Sequence, residues 1–311
     1  MDRFNVQSIT INASGNSGLR LAVQVFTPKH TPKPRLNILL SHANGYHKEL
    51  WYPIIAQLAN INARFIAYDI RNQGDSALLN AGKLEKEKFS WLQNVDDILT
   101  VVDALQLQAP IMAVGHSIGG ACVLIAEHKR PNTFVRIISL DPVCGPLSVD
   151  DPMYAAGIDV VVGKSAKRRS RWANRDEAKA AFVKRPFFQS WEEEMLDLHI
   201  KYGLFDDAAT GEVVLKCTPQ EEVNTFIGNQ NASRLAYDCL PELKCPVLFI
   251  GGLDSDYNPA GNTEGNAERC VYGELLMLEN TGHLVPMEKP LAVVGEIKRY
   301  AAAAISLPGK L

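Results

Sequence analysis

A short glycine-rich stretch near the middle of the chain constrains its fold more than any other feature. Residues 113–120 read AVGHSIGG; an apolar run leads into them and an apolar helical pattern follows. A serine between such glycines, placed after a buried strand and before a helix, predicts a turn so sharp that only small residues fit beside it. The turn would lift the Ser117 hydroxyl above a sheet and aim the first N–H groups of the next helix at the same space. We therefore expect Ser117 to be a nucleophile and the Ile118 N–H to be an oxyanion donor.

The rest of the chain predicts a mostly parallel sheet covered on both faces. Residues 6–12 and 19–26 alternate apolar and polar side chains, which is typical of an antiparallel hairpin at a sheet edge. Apolar runs that alternate with helical patterns are typical of buried parallel strands. These six further strands are predicted at 36–40, 65–68, 111–114, 135–140, 246–250 and 274–278. The fold class is therefore α/β, with an eight-stranded sheet.

Residues 146–240 interrupt this alternation and predict a helical cap. The segment has no clear strand runs and carries charged and aromatic residues at helical spacings. Inserted between two strands, it would lie over the carboxyl ends of the sheet, above Ser117, while residues 1–145 and 241–311 form the core. Its aromatic residues either line an acyl pocket or hold the cap helices together; they are Trp172, Phe182, Phe187, Phe188 and Trp191.

A serine hydroxyl needs a base to take its proton, and His283 is the best candidate among seven histidines. It lies in the loop of residues 281–290, between the last strand and the closing helix, where Gly282 and Pro286 can form a tight turn. His128 and His199 fall within helical patterns and are expected at the surface.

The acid that would orient the histidine has two candidates. Asp141 directly follows a predicted strand, and Asp254 lies in the loop after the strand at 246–250. The residues alone favour Asp141 and Asp254 almost equally as the acid.

The chain resembles the α/β-hydrolase fold superfamily over essentially its whole length. The landmarks are, in order, residues 41–45 (SHANG), 69–76 (DIRNQGDS), the serine turn, 251–254 (GGLD) and 282–283 (GH). Within the superfamily, the stretch SHANGYHKELW resembles fungal hydrolases of toxin biosynthesis and peroxisomal lipase-like proteins. The resemblance implies that the loop after the first core strand supplies a second oxyanion donor, the N–H of Asn44 or Ala43, although Ala43 replaces the usual glycine.

The resemblance also bears on the acid. The family pattern, aligned from Pro246, puts Ser255 where the aspartate usually stands. Relatives that lack an acid in that loop often take it from the end of the preceding core strand. This favours Asp141, with Asp254 as the alternative.

The residues around the serine predict a small-molecule site without a metal or cofactor. Tyr46, His47 and Trp51 follow the oxyanion loop and are expected to border the substrate pocket. His116 adjoins Ser117 and is expected to support the turn beside that pocket. No His, Cys or Asp cluster has metal-ligand spacing, and no glycine-rich phosphate loop follows a strand.

Composition narrows the partners and the compartment. The formal net charge is −3 without a strong charged block, so nothing points to nucleic acid or an anionic membrane. No apolar run approaches transmembrane length, and the first residues carry no apolar signal-peptide region. Six singly placed cysteines predict free thiols. The last three residues, Gly-Lys-Leu, differ from the peroxisomal address Ser-Lys-Leu at one position, so we expect peroxisome or cytoplasm.

These features together predict a serine hydrolase of the carboxylesterase or lipase type that cleaves a small-molecule ester or thioester through an acyl-enzyme. One alternative keeps the fold for isomerase, cyclase or C–C bond chemistry in secondary metabolism. Another is a ligand-binding receptor. The intact serine and histidine loops favour an enzyme over a receptor, and fold alone does not decide the reaction.

Overall fold

The computed structural model describes residues 1–15, 18–31, 33–84, 88–107 and 110–306. Strands and helices alternate up to residue 140 and again after residue 246. The elements before the cap are β1 (Phe4–Asn12), β2 (Arg20–Pro28), β3 (Leu36–Ser41), α1 (Tyr52–Gln57), β4 (Ala63–Tyr68), α2 (Gly74–Leu79), α3 (Trp91–Ala104), β5 (Ile111–His116), α4 (Ile118–Lys129) and β6 (Arg136–Leu140).

The segment between these two parts of the core contains short helices and short strands. They are α5 (Pro152–Ala166), β7 (Arg171–Trp172), α6 (Arg175–Val183), α7 (Pro186–Gln189), α8 (Glu193–Tyr202), β8 (Leu204–Asp207), β9 (Glu212–Leu215), α9 (Pro219–Ile227) and α10 (Ala232–Asp238). The core resumes with β10 (Val247–Gly252), α11 (Asn262–Arg269), β11 (Gly273–Leu278), α12 (Val285–Glu288) and α13 (Pro290–Ile305).

Eight strands form one sheet in the order β1-β2-β4-β3-β5-β6-β10-β11. Strand β2 runs antiparallel to both of its neighbours, and the pairings from β4 to β11 are parallel. The predicted eight-stranded, mostly parallel sheet with an antiparallel hairpin at one edge is confirmed.

Both faces of this sheet are buried, because successive residues of the central strands enter different apolar clusters. In β5, Met112 and Val114 join a cluster with residues of α1 and α13, and Ala113 joins a second cluster with residues of α3 and α4. Side chains alternate across a strand, so a strand covered on both faces must be apolar throughout. This explains the continuous apolar runs in the sequence.

The cap is not purely helical. Strands β7, β9 and β8 form a separate three-stranded antiparallel sheet within it. The sequence indicated only helices in this segment, because these strands are two to four residues long, too short for a period-two pattern to stand out. Helix α10, at the end of the predicted cap, packs against core helix α4 and places Ala232 and Ala236 in the core cluster of that face.

Several sequence expectations concern covalent or membrane features. All six cysteines are buried and unpaired, which confirms the prediction of free thiols. Within the described residues, no helix combines the length and apolar character needed to cross a membrane. In the same part of the chain, no group of three His, Cys, Asp or Glu side chains is placed to hold a metal ion. The Gly-Lys-Leu tripeptide lies outside the described residues.

Helix α4 begins in contact with the backbone of two strands, and glycines make the contact possible. A Cβ on Gly119 would lie 2.4 Å from the Ser41 carbonyl oxygen at the end of β3. A Cβ on Gly115 would lie 2.3 Å from the Gly119 carbonyl oxygen. Both obstacles are backbone atoms and cannot rotate away. The glycines at positions 115 and 119 are therefore required by the approach of α4 to the sheet.

We expect Gly119→Ala to lower the free energy of unfolding by about 1–3 kcal/mol or more, because the methyl group must displace backbone. Urea unfolding with a full baseline measures this. Gly157→Ala is the matched control, since Gly157 also lies in a helix but no atom stands within 4 Å of its added Cβ. The control should keep or gain stability. Equal stability of Gly119→Ala and the wild type would contradict the close approach.

Candidate active site

Ser117 occupies the turn between β5 and α4 in a strained backbone conformation. Its φ of 57° and ψ of −118° lie outside the regions that serine ordinarily adopts. The turn is held by the Ser117 N–H, which donates to the Leu140 carbonyl of β6 at 2.9 Å. The side chain is 6% exposed. The predicted position of Ser117 at a strand-to-helix turn matches this geometry.

His283 reaches Ser117 from the loop between β11 and α12. Its Nε2 lies 2.9 Å from the Ser117 Oγ. Glu288 holds the loop by accepting the N–H groups of Gly282 at 2.8 Å and Leu284 at 3.1 Å. Its carboxylate, one turn later on α12, thus fixes the backbone on both sides of the imidazole.

Asp141 completes a hydrogen-bonded chain with the imidazole. Its Oδ1 lies 2.8 Å from the His283 Nδ1. It also accepts from the Gly252 N–H at 3.1 Å, from the Ser255 hydroxyl at 2.9 Å, and from the Asn258 amide. Burial alone would raise the pKa of Asp141, but the hydrogen bonds outweigh it and hold the pKa below its usual value.

The ionised carboxylate decides which nitrogen of the imidazole carries the proton. A carboxylate only accepts hydrogen bonds, so the His283 Nδ1 must donate to Asp141. The Nε2 of the neutral ring is then the acceptor for the Ser117 hydroxyl. This is the tautomer in which the ring can act as a base toward the serine.

Asp254, the alternative acid, is not part of this series of hydrogen bonds. Its side chain is exposed, and its recorded hydrogen bond is the donation of its backbone N–H to the Thr281 carbonyl at 2.9 Å. The structure brings Ser117, His283 and Asp141 together and leaves Asp254 outside. Ser255, which stands at the usual aspartate position of the family pattern, donates to Asp141 instead of replacing it.

The candidate oxyanion donors lie on two elements. In the loop after β3, the Gly45 N–H donates to Gln73 Oε1 at 2.9 Å. The N–H groups of Ala43 and Asn44 have no acceptor within the described residues. Ile118 is the first residue of α4, so its N–H has no acceptor within the helix. In the described part of the chain, none of the three N–H groups named from the sequence donates to a protein acceptor.

Residues at the mouth of a pocket are partly exposed, but two of those expected there are buried. His47 and Trp51 are buried at 1% and 2% exposure. His47 bonds the Glu49 carboxylate at 3.0 Å and stacks on His199 of α8, with ring centroids 5.4 Å apart. Burial lowers the pKa of His47 to about 3. The prediction of His199 as a surface residue is wrong, because the cap turns that face of α8 onto the core.

His116 lies directly behind His283. Its Nε2 lies 2.8 Å from the His283 carbonyl oxygen, and the two rings are tilted with centroids 5.2 Å apart. Burial lowers the pKa of His116 to about 3, so the ring is neutral at pH 7. His116 therefore supports the histidine loop from beneath, and it faces the core instead of a pocket opening.

The aromatic residues of the cap pack mainly on one another. Phe182 and Phe188 make an edge contact with ring centroids 4.7 Å apart, and Phe188 contacts Trp191 at 5.1 Å. Tyr46 joins them from the core through Trp191 at 5.5 Å. These contacts hold the cap helices together, which is the second of the two roles left open by the sequence, and Tyr46 adds a contact to the core.

Three contacts of the site lay beyond the sequence reasoning. Tyr257 stacks on the His283 ring with centroids 4.4 Å apart. Asn258 donates to Asp141. Gln73 bonds the oxyanion loop. Gln73 lies within the motif 69–76, and Tyr257 and Asn258 lie shortly after the motif 251–254. These positions are the signal in the sequence that could have indicated them.

Similarity to known proteins identifies the fold family. The sequence profile of the α/β hydrolase fold family matches residues 37–290. The chain belongs to the α/β hydrolase fold family.

Its similar proteins include fungal hydrolases. The type I acyl-CoA thioesterase mpaH of Penicillium roqueforti (strain FM164) is 25% identical over 201 residues, which cover 60% of this chain and 45% of that protein. The chain thus spans about half the length of this relative. The abhydrolase domain-containing protein AFT2-1 of Alternaria alternata is 26% identical over 223 residues, 59% of this chain and 80% of that protein.

A solved structure matches the whole fold. The peroxisomal α/β-hydrolase Lpx1 of Saccharomyces cerevisiae superposes with a TM-score of 0.85 at 20% identity, covering 100% of this chain and 92% of that chain. At this identity the match establishes the fold. The resemblance to fungal and peroxisomal members that the sequence suggested is confirmed.

We expect Asp141→Asn to lower the free energy of unfolding by about 2 kcal/mol at pH 7, because the donors around Asp141 lose a charged acceptor. The folded pKa lies below the ordinary 3.8, so the stabilisation is present above pH 3.8. It is lost as the pH falls through the lower pKa of the folded state. Urea unfolding of both proteins between pH 7 and pH 3 checks this.

Asp254→Asn is the control, since its carboxylate is exposed. It should match the wild type at every pH. A stability difference between Asp141→Asn and the wild type that stays constant down to pH 3 would contradict the ionised, hydrogen-bonded Asp141.

Proposed function

We propose that this protein is a serine hydrolase that cleaves an ester or thioester of a small molecule. The observation that carries the proposal is the continuous hydrogen-bonded chain from Ser117 through His283 to Asp141, with steps of 2.9 and 2.8 Å. This series of hydrogen bonds begins at a serine held in a strained turn and ends at a buried carboxylate. Nucleophile, base and orienting acid in this arrangement are the requirements of acyl transfer.

The first half of the proposed reaction forms an acyl-enzyme. The Ser117 Oγ attacks the substrate carbonyl carbon while its proton passes to the His283 Nε2. The oxygen of the tetrahedral intermediate accepts hydrogen bonds from the N–H groups of Ile118 and Asn44. The intermediate collapses, the bond to the leaving group breaks, and His283 returns the proton to the leaving alcohol or thiol.

The second half releases the acid. Water attacks the acyl carbonyl as His283 takes one of its protons, and the same N–H groups bind the second oxyanion. Collapse breaks the bond to Ser117, and His283 protonates the Oγ. Asp141 remains ionised throughout and stabilises the imidazolium in both halves.

The class of bond is proposed from the relatives. The Penicillium relative is named an acyl-CoA thioesterase, and a serine–histidine pair that cleaves thioesters also cleaves oxygen esters through the same acyl-enzyme. We therefore propose thioesters and simple carboxylic esters as substrates.

The peroxisomal address in the last three residues remains a prediction, and location in peroxisome or cytoplasm is tested by tagging the amino terminus.

A fluorophosphonate should label the protein once, because the activated Ser117 attacks phosphorus as it would a carbonyl. Intact-mass spectrometry measures the adduct. Ser117→Ala should lose the adduct and lower kcat for p-nitrophenyl and CoA esters by at least about 1,000-fold. A folded wild-type protein without an adduct would refute the activated serine and move the function to a non-hydrolytic or ligand-binding class.

The two aspartates should differ in activity. Asp141→Asn is expected to lower kcat by about 100- to 10,000-fold, because the imidazole loses the partner that fixes its tautomer. Asp254→Asn should stay within about twofold of the wild type. Steady-state hydrolysis of the best p-nitrophenyl ester decides between them. A full-rate Asp141→Asn enzyme would exclude Asp141 as the orienting acid.

A further inference from the structure

One buried glutamine holds the loop that carries the second candidate oxyanion donor. Gln73 is fully buried at the start of α2. Its Oε1 accepts the Gly45 N–H at 2.9 Å, and its Nε2 donates to the Asn44 Oδ1 at 2.8 Å. The side chain therefore holds Asn44 and Gly45, on both sides of the peptide bond that joins them. The Asn44 N–H, on the other side of the Asn44 Cα, has no acceptor among the residues that the structure describes.

The same glutamine is bonded to the cap. Its Nε2 also donates to the Thr225 hydroxyl of α9 at 3.1 Å. Asn44 makes a second contact with that helix, since its Nδ2 donates to the Glu222 carbonyl at 3.1 Å. Gln73, Asn44 and helix α9 thus form a closed ring of hydrogen bonds, which we call the amide latch.

The position of Gln73 is itself fixed by the core. The Gln73 N–H donates to the Ile70 carbonyl at 2.8 Å. The Asp69 carboxylate accepts the Asp75 N–H at 2.8 Å and the Lys48 N–H at 2.7 Å, which ties the start of α2 to the segment after the oxyanion loop. A side chain anchored in this way can transmit its position to the loop.

We propose that Gln73 is a positioning residue that sets the Asn44 N–H for the oxyanion and makes that position depend on the contact with α9. The inference rests on the proposed hydrolase function. An oxyanion donor acts only when it lies at hydrogen-bond distance from the developing charge, and loss of one donor costs about 100- to 1,000-fold in kcat. A loop without its latch keeps the donor but lets it move. The loss of kcat without the latch should therefore be smaller than the loss caused by a missing donor.

The neighbouring Asn72 provides a matched control. Its Nδ2 donates to the Thr225 hydroxyl at 3.0 Å, the Glu221 carbonyl at 3.2 Å and the Glu221 carboxylate at 3.1 Å. Asn72 therefore fastens the same cap helix to the same core segment, but it makes no hydrogen bond to the oxyanion loop. A role in holding the cap would appear in both variants, whereas a role in the oxyanion hole would appear in Gln73 alone.

The experiment compares Gln73→Met, Gln73→Glu and Asn72→Ala in steady-state hydrolysis of a p-nitrophenyl ester and in the rate of fluorophosphonate labelling. Gln73→Met should lower kcat and the labelling rate by about 10- to 100-fold with KM within about threefold. Gln73→Glu retains an acceptor for the Gly45 N–H, but it loses the donations to Asn44 and Thr225 and adds a negative charge beside the oxyanion, so its kcat should fall at least as far. Asn72→Ala should keep kcat within about threefold, although its melting temperature falls.

Two results would overturn the inference while the wild type still labels and turns over. One is full kcat in Gln73→Met, and the other is an equal loss of kcat in Asn72→Ala. If Gln73→Met does not fold, full kcat in Gln73→Glu has the same meaning. A wild type that neither labels nor hydrolyses esters removes the proposed function, and the inference falls with it.

Discussion

The contact between the backbone of Gly119 and the carbonyl of Ser41 determines how the rest of the candidate site is built. It brings the first turn of α4 against the end of β3, and a single methyl group at residue 119 would lie 2.4 Å from that carbonyl oxygen. Because the oxyanion loop begins where β3 ends, the same contact places the Asn44 and Ile118 N–H groups on neighbouring elements. The strained Ser117 backbone is stabilised by this packing, since an isolated turn would relax.

The features that local chemistry determines were predictable from the sequence. Strands such as β5 must be apolar throughout because both of their faces are buried, and the glycines around Ser117 are required by atoms within a few ångströms of them. The histidine loop is similar, since Gly282 and Pro286 mark a tight turn before a helix. Although the atoms that impose these constraints come from distant parts of the sequence, each constraint falls on a few consecutive residues and leaves a readable pattern there.

The features that depend on long-range pairing were not predictable from the residues alone. Strands β6 and β10 are neighbours, with Leu140 opposite Ile250, so the loops that carry Asp141 and Asp254 leave the same sheet edge side by side. Only the register and the donors from Ser255 and Asn258 decide which carboxylate meets His283. The amide latch joins Gln73 to Thr225, which are 152 positions apart, and no sequence pattern in either segment indicates this pairing.

The choice of neutral amides beside the oxyanion loop has a physical reason. A carboxylate close to the Asn44 N–H would oppose the negative charge that forms on the substrate oxygen, whereas an amide both donates and accepts without adding charge. Glu222 is the acidic residue in contact with Asn44, and it offers its backbone carbonyl. Its carboxylate lies beside the loop, since a Cβ on Gly45 would stand 3.7 Å from Glu222 Oε2. The Ser165 hydroxyl donates to this carboxylate at 2.9 Å, and the Arg168 guanidinium pairs with it at 2.7 Å, which offsets its charge. Helix α9 therefore holds the loop through neutral donors and acceptors, while Arg168 offsets the charge of the Glu222 carboxylate.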